Sequence, residues 1–146
     1  MPFSGLQKVT ADQLNRLQPI TDSAEATSTL DVTTSVADVP GALVSIDTTT
    51  NGAAYVVEGS FDVVQDGAAG NTFFGRLYVD GADVGKIAPY RGQTASDRSL
   101  VQQTWRGTLP SAGSHTFQLR ANSDASAKYN VNATQSGLVV TVYEVV

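Results

Sequence analysis

The sequence predicts an all-β domain, an eight- to nine-stranded antiparallel jelly-roll sandwich preceded by a short N-terminal helical arm. Three observations point there. Of 146 residues, 18 are Val and 16 are Thr against only 3 Lys and 3 Glu, a balance that suits strands better than helices. From about Thr29 onward, short stretches of apolar and polar alternation are separated by Gly, Asn, Asp and Pro, the period-2 signature of strands with one buried face. The length fits one domain with a single core.

The first element is the only helical one. Thr10 stands as N-cap with Gln13 at the capping-box position, and Val9 and Leu14 have hydrophobic-staple spacing. Leu14 and Leu17 share a face and Pro19 ends the run, which gives a helix over residues 10–17 of about two turns, too short to be stable alone in water. It must dock, either on its own domain or on a neighbour. Residues 18–28 are small and polar and suit an extended tether. The chain thus divides into an arm, residues 1–25, and a domain, residues 26–146.

Strands then follow to the C-terminus. Thr29 to Thr34 and Ala42 to Asp47 come first. Tyr55, Val57, Gly59, Phe61 and Val63 alternate with Val56, Glu58, Ser60 and Asp62; Phe73, Gly75, Leu77 and Val79 alternate with Phe74, Arg76, Tyr78 and Asp80. Asp80-Gly81 is a tight-turn signal, and Ala82 to Ile87 reads as the hairpin partner. Leu100 to Leu109 places Val101, Gln103, Trp105 and Leu109 on one side, and Pro110 to Gly113 turns the chain. His115, Phe117, Leu119 and Ala121 continue the alternation, and Lys128 to Ala133 and Leu138 to Val146 supply the last two strands. In the final strand, Leu138, Val140 and Val142 compete with Val139, Tyr143 and Val145 for the inner face. Eight strands suit a two-sheet jelly roll, and an immunoglobulin-like sandwich of about seven is the rival.

Composition excludes more than it names. The formal charge is −5 with no Cys and one His, so disulfides, thiol nucleophiles and thiolate metal sites are ruled out, and broad nucleic-acid binding is disfavoured. No apolar run approaches the ~18 residues of a membrane span, and no basic-then-apolar leader opens the sequence. Synthesis in the cytoplasm without Sec export is expected. Acids dominate Leu17 to Gly75, with eight and no Lys or Arg, whereas Arg76 to Val146 holds seven bases and five acids. Interleaved strands would mix these charges over the surface; patches kept apart would meet between subunits.

Val39-Pro40-Gly41-Ala42, Tyr55 to Val63 (YVVEGSFDV), Leu77 to Gly81 (LYVDG), Leu109 to Arg120 (LPSAGSHTFQLR) and Gly137 to Val145 (GLVVTVYEV) together resemble jelly-roll domains of the C1q/TNF-like type, versions of which occur in structural proteins of tailed bacteriophages. Leu6 to Leu17 (LQKVTADQLNRL) is similar to the short segments that precede such domains in phage virion proteins. The resemblance implies a homotrimer associated through one sheet around a threefold axis. It also implies a place in the virion, on the capsid surface, with the major capsid protein or another virion protein as partner and neither nucleic acid nor membrane. The missing collagen-like repeat and heptads favour a capsid decoration protein over a fibre.

Candidate contacts follow. In the arm they are Val9, Leu14 and Leu17. For the trimer interface they are Phe74, Tyr78, Val139 and Tyr143, each opposite the better-marked core positions of its strand. A recognition module, binding a receptor or carbohydrate at the tip of a tail or head fibre, is the second hypothesis; Tyr90, Arg91 and Trp105 would then carry a recognition loop, although a single Trp is more often core. No catalytic residue, cofactor or metal is expected. His115 alternates with core residues, no nucleophile elbow surrounds Ser111 or Ser114, and Asp80 with Asp83 or Asp62 with Asp66 match no calcium loop. Glu is too rare to mark a glycosidase pair.

Overall fold

The period-2 alternation resolves into two five-stranded antiparallel sheets laid face to face over one apolar core. The computed structural model describes residues 10–67, 70–125 and 129–145. Helix α1 (Ala11–Arg16) precedes strands β1 (Ile20–Glu25), β2 (Leu30–Val32), β3 (Ala37–Thr48), β4 (Ala54–Gln65), β5 (Phe73–Val79), β6 (Ala82–Asp83), β7 (Ala88–Tyr90), β8 (Arg98–Thr108), β9 (Gly113–Ser123) and β10 (Tyr129–Tyr143). The first sheet runs β1-β10-β4-β8 with β2 also on β10; the second runs β3-β9-β5-β6 with β7 also on β5. From β2 to β5 and from β7 to β10, consecutive strands alternate between the sheets, as in a jelly-roll sandwich.

The core forms where the alternation placed it. Tyr55, Val57, Phe61 and Val63 of β4 face Phe73 and Leu77 of β5 and Phe117, Leu119 and Ala121 of β9. In β10 the open choice of face is decided: Leu138, Val140 and Val142 are buried, and Val139 and Tyr143 are exposed. Rings meet edge to face across the sheets, Phe61 on Phe73, Phe73 on Tyr129 and Tyr129 on Tyr90. Two inner-face glycines make room for them. A Cβ at Gly75 would lie 2.5 Å from the Phe61 ring, and one at Gly59 would lie 2.7 Å from Trp105.

Four expectations change. Residues 18–28 are not wholly a tether, because Ile20–Glu25 pairs with β10 along its length, from Ile20 opposite Val142 to Glu25 opposite Gly137. Five of these six residues are exposed, so an edge strand that buries almost nothing leaves no apolar alternation to read. The last two expected strands are one, β10, whose register shifts between Asn132 and Gly137; the polar bulge resembled a loop. The expected partner Ala82 to Ile87 is only β6, followed by β7 back on the same strand. Among the described residues the strands number ten, three of them of two or three residues.

Helix α1 has the expected cap: Thr10 Oγ1 accepts from the Gln13 N–H at 3.2 Å, and Gln13 Oε1 accepts from the Thr10 N–H at 2.9 Å. The Asp80-Gly81 turn forms with φ of 51° and 80°, the left-handed pair that a two-residue hairpin turn requires.

Gly75→Ala should force Phe61 out of its place and destabilise the domain by about 1–3 kcal/mol through overpacking. Phe61→Ala should cost about 3–5 kcal/mol. Urea midpoints of the two variants check both.

Candidate functional site

The two outer faces of the sandwich differ in kind. On the second sheet, Phe74 and Tyr78 of β5 point outward but are half-buried under side chains of their own chain. The Arg120 guanidinium lies over the Tyr78 ring at 4.2 Å and pairs with Asp38 at 2.5 Å. Beside it Arg76 bonds Asp83 and Asn122, each at 2.8 Å. On the first sheet, Val139 and Tyr143 stand 41% and 49% exposed, with Thr141 between them and Val56 and Glu58 on the neighbouring strand. The four residues expected at one interface thus divide between opposite faces of the molecule, because β5 and β10 belong to different sheets.

The end of the first sheet next to α1 is the more apolar. Leu14 and Leu17 are 54% and 60% exposed, and Ile20, Tyr143 and Val145 are exposed as well. Asp12, Asn15 and Gln18 instead line a crevice with Thr49 and Glu144. The described side chains of the helix are all exposed, Leu14 and the C-cap Leu17 included, and Ile20 lines the same crevice, so the helix covers none of its own core. Val9 lies outside the described residues. The sequence marks Leu14 and Leu17; Ile20 belongs to no alternating run, and Val145 stands only among the competitors for the inner face of the last strand.

The recognition triad does not assemble. Trp105 is 2% exposed, and its indole N–H donates to the Lys86 carbonyl at 2.7 Å. It fills the space over Gly59 and presents no platform. Tyr90 is half-buried against Tyr129, and only Arg91 is fully exposed. The following turn is held by Asp97, which accepts from the Thr94 and Gln93 N–H groups and the Thr94 hydroxyl. These bonds, those from Thr94 foremost, hold its carboxyl below the ordinary range.

A groove of about 710 Å³ crosses the other half of the first sheet's outer face. Its floor is Glu58 and Ser60 of β4, Gln102 and Thr104 of β8 and Val139 of β10, with Ser23 and Glu25 of β1 on one side and Lys86 on the rim. Residues 133–136, the bulge of β10, form a wall. That wall is pinned from below: the Ser136 hydroxyl donates to the Asn132 carbonyl at 2.5 Å and accepts from the Asp62 N–H at 2.9 Å, and the Ser60 hydroxyl donates to the Gln135 carbonyl at 2.9 Å. Asp62, buried, receives a two-pronged contact from Arg98 at 2.8 and 2.6 Å. By contrast, the side chains of Glu25, Glu58, Gln102 and Gln135 hold no hydrogen bond or ion pair among the described residues. Sequence reading passed over them because polar residues on the outer half of an alternation signal only solvent.

No family model matches the chain, and no curated protein matches it. Solved structures do. The sandwich is similar to part of the T13 viral particle of infectious bursal disease virus, with a TM-score of 0.54 and 14% identity over 86% of this chain. It is similar to part of latent PorU from Porphyromonas gingivalis (0.51, 12% identity, 85% of this chain) and to murine APRIL (0.50, 10% identity, 87% of this chain). The sandwich is consistent with a jelly roll. The chain spans 31% of the viral chain, 12% of PorU and all of APRIL. At these identities the likeness concerns the fold.

Three of the four acids named as possible calcium ligands are engaged elsewhere: Asp62 with Arg98, Asp83 with Arg76 and Asp80 with His115. Among the described residues no group of three or more His, Asp or Glu is placed to hold a metal ion, and no helix is long and apolar enough to cross a membrane. His115 is buried, with Nδ1 on Asp80 at 2.7 Å and Nε2 on the Ser111 carbonyl at 2.8 Å. Both nitrogens face acceptors, which fits an imidazolium and leaves neither nitrogen free to take a substrate proton. The Asp80 hydrogen bond raises the imidazole above its ordinary value despite burial. Burial pushes Asp80 upward, but the His115 and Thr116 bonds outweigh it and hold its carboxyl low.

The stability that His115 contributes is complete below its ordinary value of about 6.5 and is lost as pH rises through the raised folded-state value; that of Asp80 is present above about 3.9 and lost as pH falls. The melting temperature of the parent protein should therefore fall from pH 6 to pH 9 more steeply than that of His115→Gln, measured by thermal scans across that range. Equal slopes would show that the pair carries no charge linkage.

Proposed function

We propose that the chain is a non-catalytic structural subunit of a bacteriophage particle, a trimeric decoration protein held on the capsid surface through its N-terminal arm. The observation that carries this reading is the helix itself: an element of six residues, too short to persist alone, leaves Leu14 and its C-cap Leu17 54% and 60% exposed. Exposed apolar side chains gathered at one place mark a contact surface. A sandwich of the same fold in a viral particle supports a virion role, and the C1q/TNF-like resemblance supports association through one sheet. Of the two outer faces, that of β1, β10, β4 and β8 suits it better, since the other is covered by Arg76, Arg120 and their own partners. The subunit contact centres on Tyr143, at the α1 end of this face. Many weak attachments per particle then hold without chemistry, because the arms act together.

The loop-tip alternative loses its main residue with Trp105 in the core. Removal of residues 1–17 should leave the β-sheet circular dichroism and the cooperative melt in place but abolish co-sedimentation with capsids; undiminished attachment would end the arm hypothesis. Sedimentation velocity should give a trimer for the full chain, and Tyr143→Arg should shift it toward monomer with little change in monomer stability. A parent protein that stays monomeric at micromolar concentration would count against the subunit contact.

A further inference from the structure

We propose that the groove on the outer face of β1, β10, β4 and β8 binds a neutral oligosaccharide. Its volume of about 710 Å³ falls within the range of small-ligand sites, about 300–1,000 Å³. The lining is rich in groups that both give and accept hydrogen bonds, the Gln102 and Gln135 amides and the hydroxyls of Ser23, Thr104 and Thr134, while the Ser60 oxygen can still accept. The Glu25 and Glu58 carboxylates add acceptors that can each take two adjacent hydroxyl donors, and Val139 offers an apolar contact for the C–H face of a sugar ring.

Two further features choose among occupants. The groove carries two carboxylates against the single ammonium of Lys86, so phosphate or sulfate groups would be repelled. A second copy of this chain seated there would have to bury Glu25 and Glu58, each costly without a charged partner, whereas sugar hydroxyls satisfy them while water still reaches the rim. The wall is also fixed in advance. Ser136 and Asp62 are buried and fully engaged beneath residues 133–136, so little ordering cost falls on the ligand. The site does not rest on the virion reading, because the contact proposed there lies at the α1 end of the face, around Tyr143.

The test is an amide-shift titration of the isotope-labelled full chain with cellotriose, maltotriose and triacetylchitotriose, beside a heparin-derived tetrasaccharide as the charged control. At least one neutral trisaccharide should move the amides of Glu58, Ser60, Gln102, Thr104 and Gln135 with millimolar affinity. Glu58→Ala and Gln102→Ala should each weaken it about tenfold, with melting and sedimentation unchanged, and Tyr90→Ala should leave it intact. The proposal is overturned by silence from all three neutral sugars, by shifts confined to the Tyr90 and Arg91 end, or by preference for the sulfated control. A changed sedimentation coefficient in Glu58→Ala or Gln102→Ala would equally overturn it and assign the groove to a second copy.

Discussion

Two sheets can share a core only if their inner faces interlock, and here the interlock is made of large rings seated over residues with no side chain. Phe61 reaches across the sandwich onto Gly75, and Trp105 lies over Gly59 within its own sheet. Close packing of this kind tolerates neither added nor missing volume. It fixes which side of β4, β5 and β8 faces inward, and through the two-residue period it fixes what every alternate residue presents to solvent. The half-buried Tyr78, the exposed Val139 and Tyr143 and the groove around Glu58 all follow from that one choice.

Charge is organised by the same topology. The acidic first stretch and the slightly basic second do not become two patches, because the interleaved strands bring Asp62 to Arg98 and Asp38 to Arg120 within one chain. Arg98 and Asp62 brace the bulge of β10, and Arg120 covers Tyr78. Ion pairing thus closes one outer face and supports the groove wall on the other. What stays unpaired among the described residues is informative in turn: Glu25 and Glu58 keep their carboxylates open where the wall has been built beside them.

Much of the fold was legible in the residues. Strands β4, β5, β8 and β9 carry a period-2 alternation, the Thr10 and Gln13 capping box names its helix, and Asp80-Gly81 names its turn, because each signal is local. Elements that bury little left no mark. The edge strand Ile20–Glu25 reads as tether, and the bulge in β10 reads as a break between two strands. Of the site, Leu14 and Leu17 were legible as apolar residues on a helix too short to stand alone. The groove was not, since Glu58, Gln102 and Gln135 come from three strands and look like ordinary solvent-facing positions one at a time.

Residue order alone specifies an all-β chain of alternating strands, a capped helix ahead of it and a core drawn from alternate residues. These depend on period, cap and turn chemistry, which act over a few residues. Strand pairing across the chain settles that Trp105 is buried, that Phe74 and Tyr78 lie on the opposite face from Val139 and Tyr143, that Leu14 and Leu17 are exposed and that polar groups unpaired among the described residues converge beside a pinned bulge. Those outcomes depend on which strands become neighbours, and pairing between residues far apart in the chain is set by the closure of the whole core.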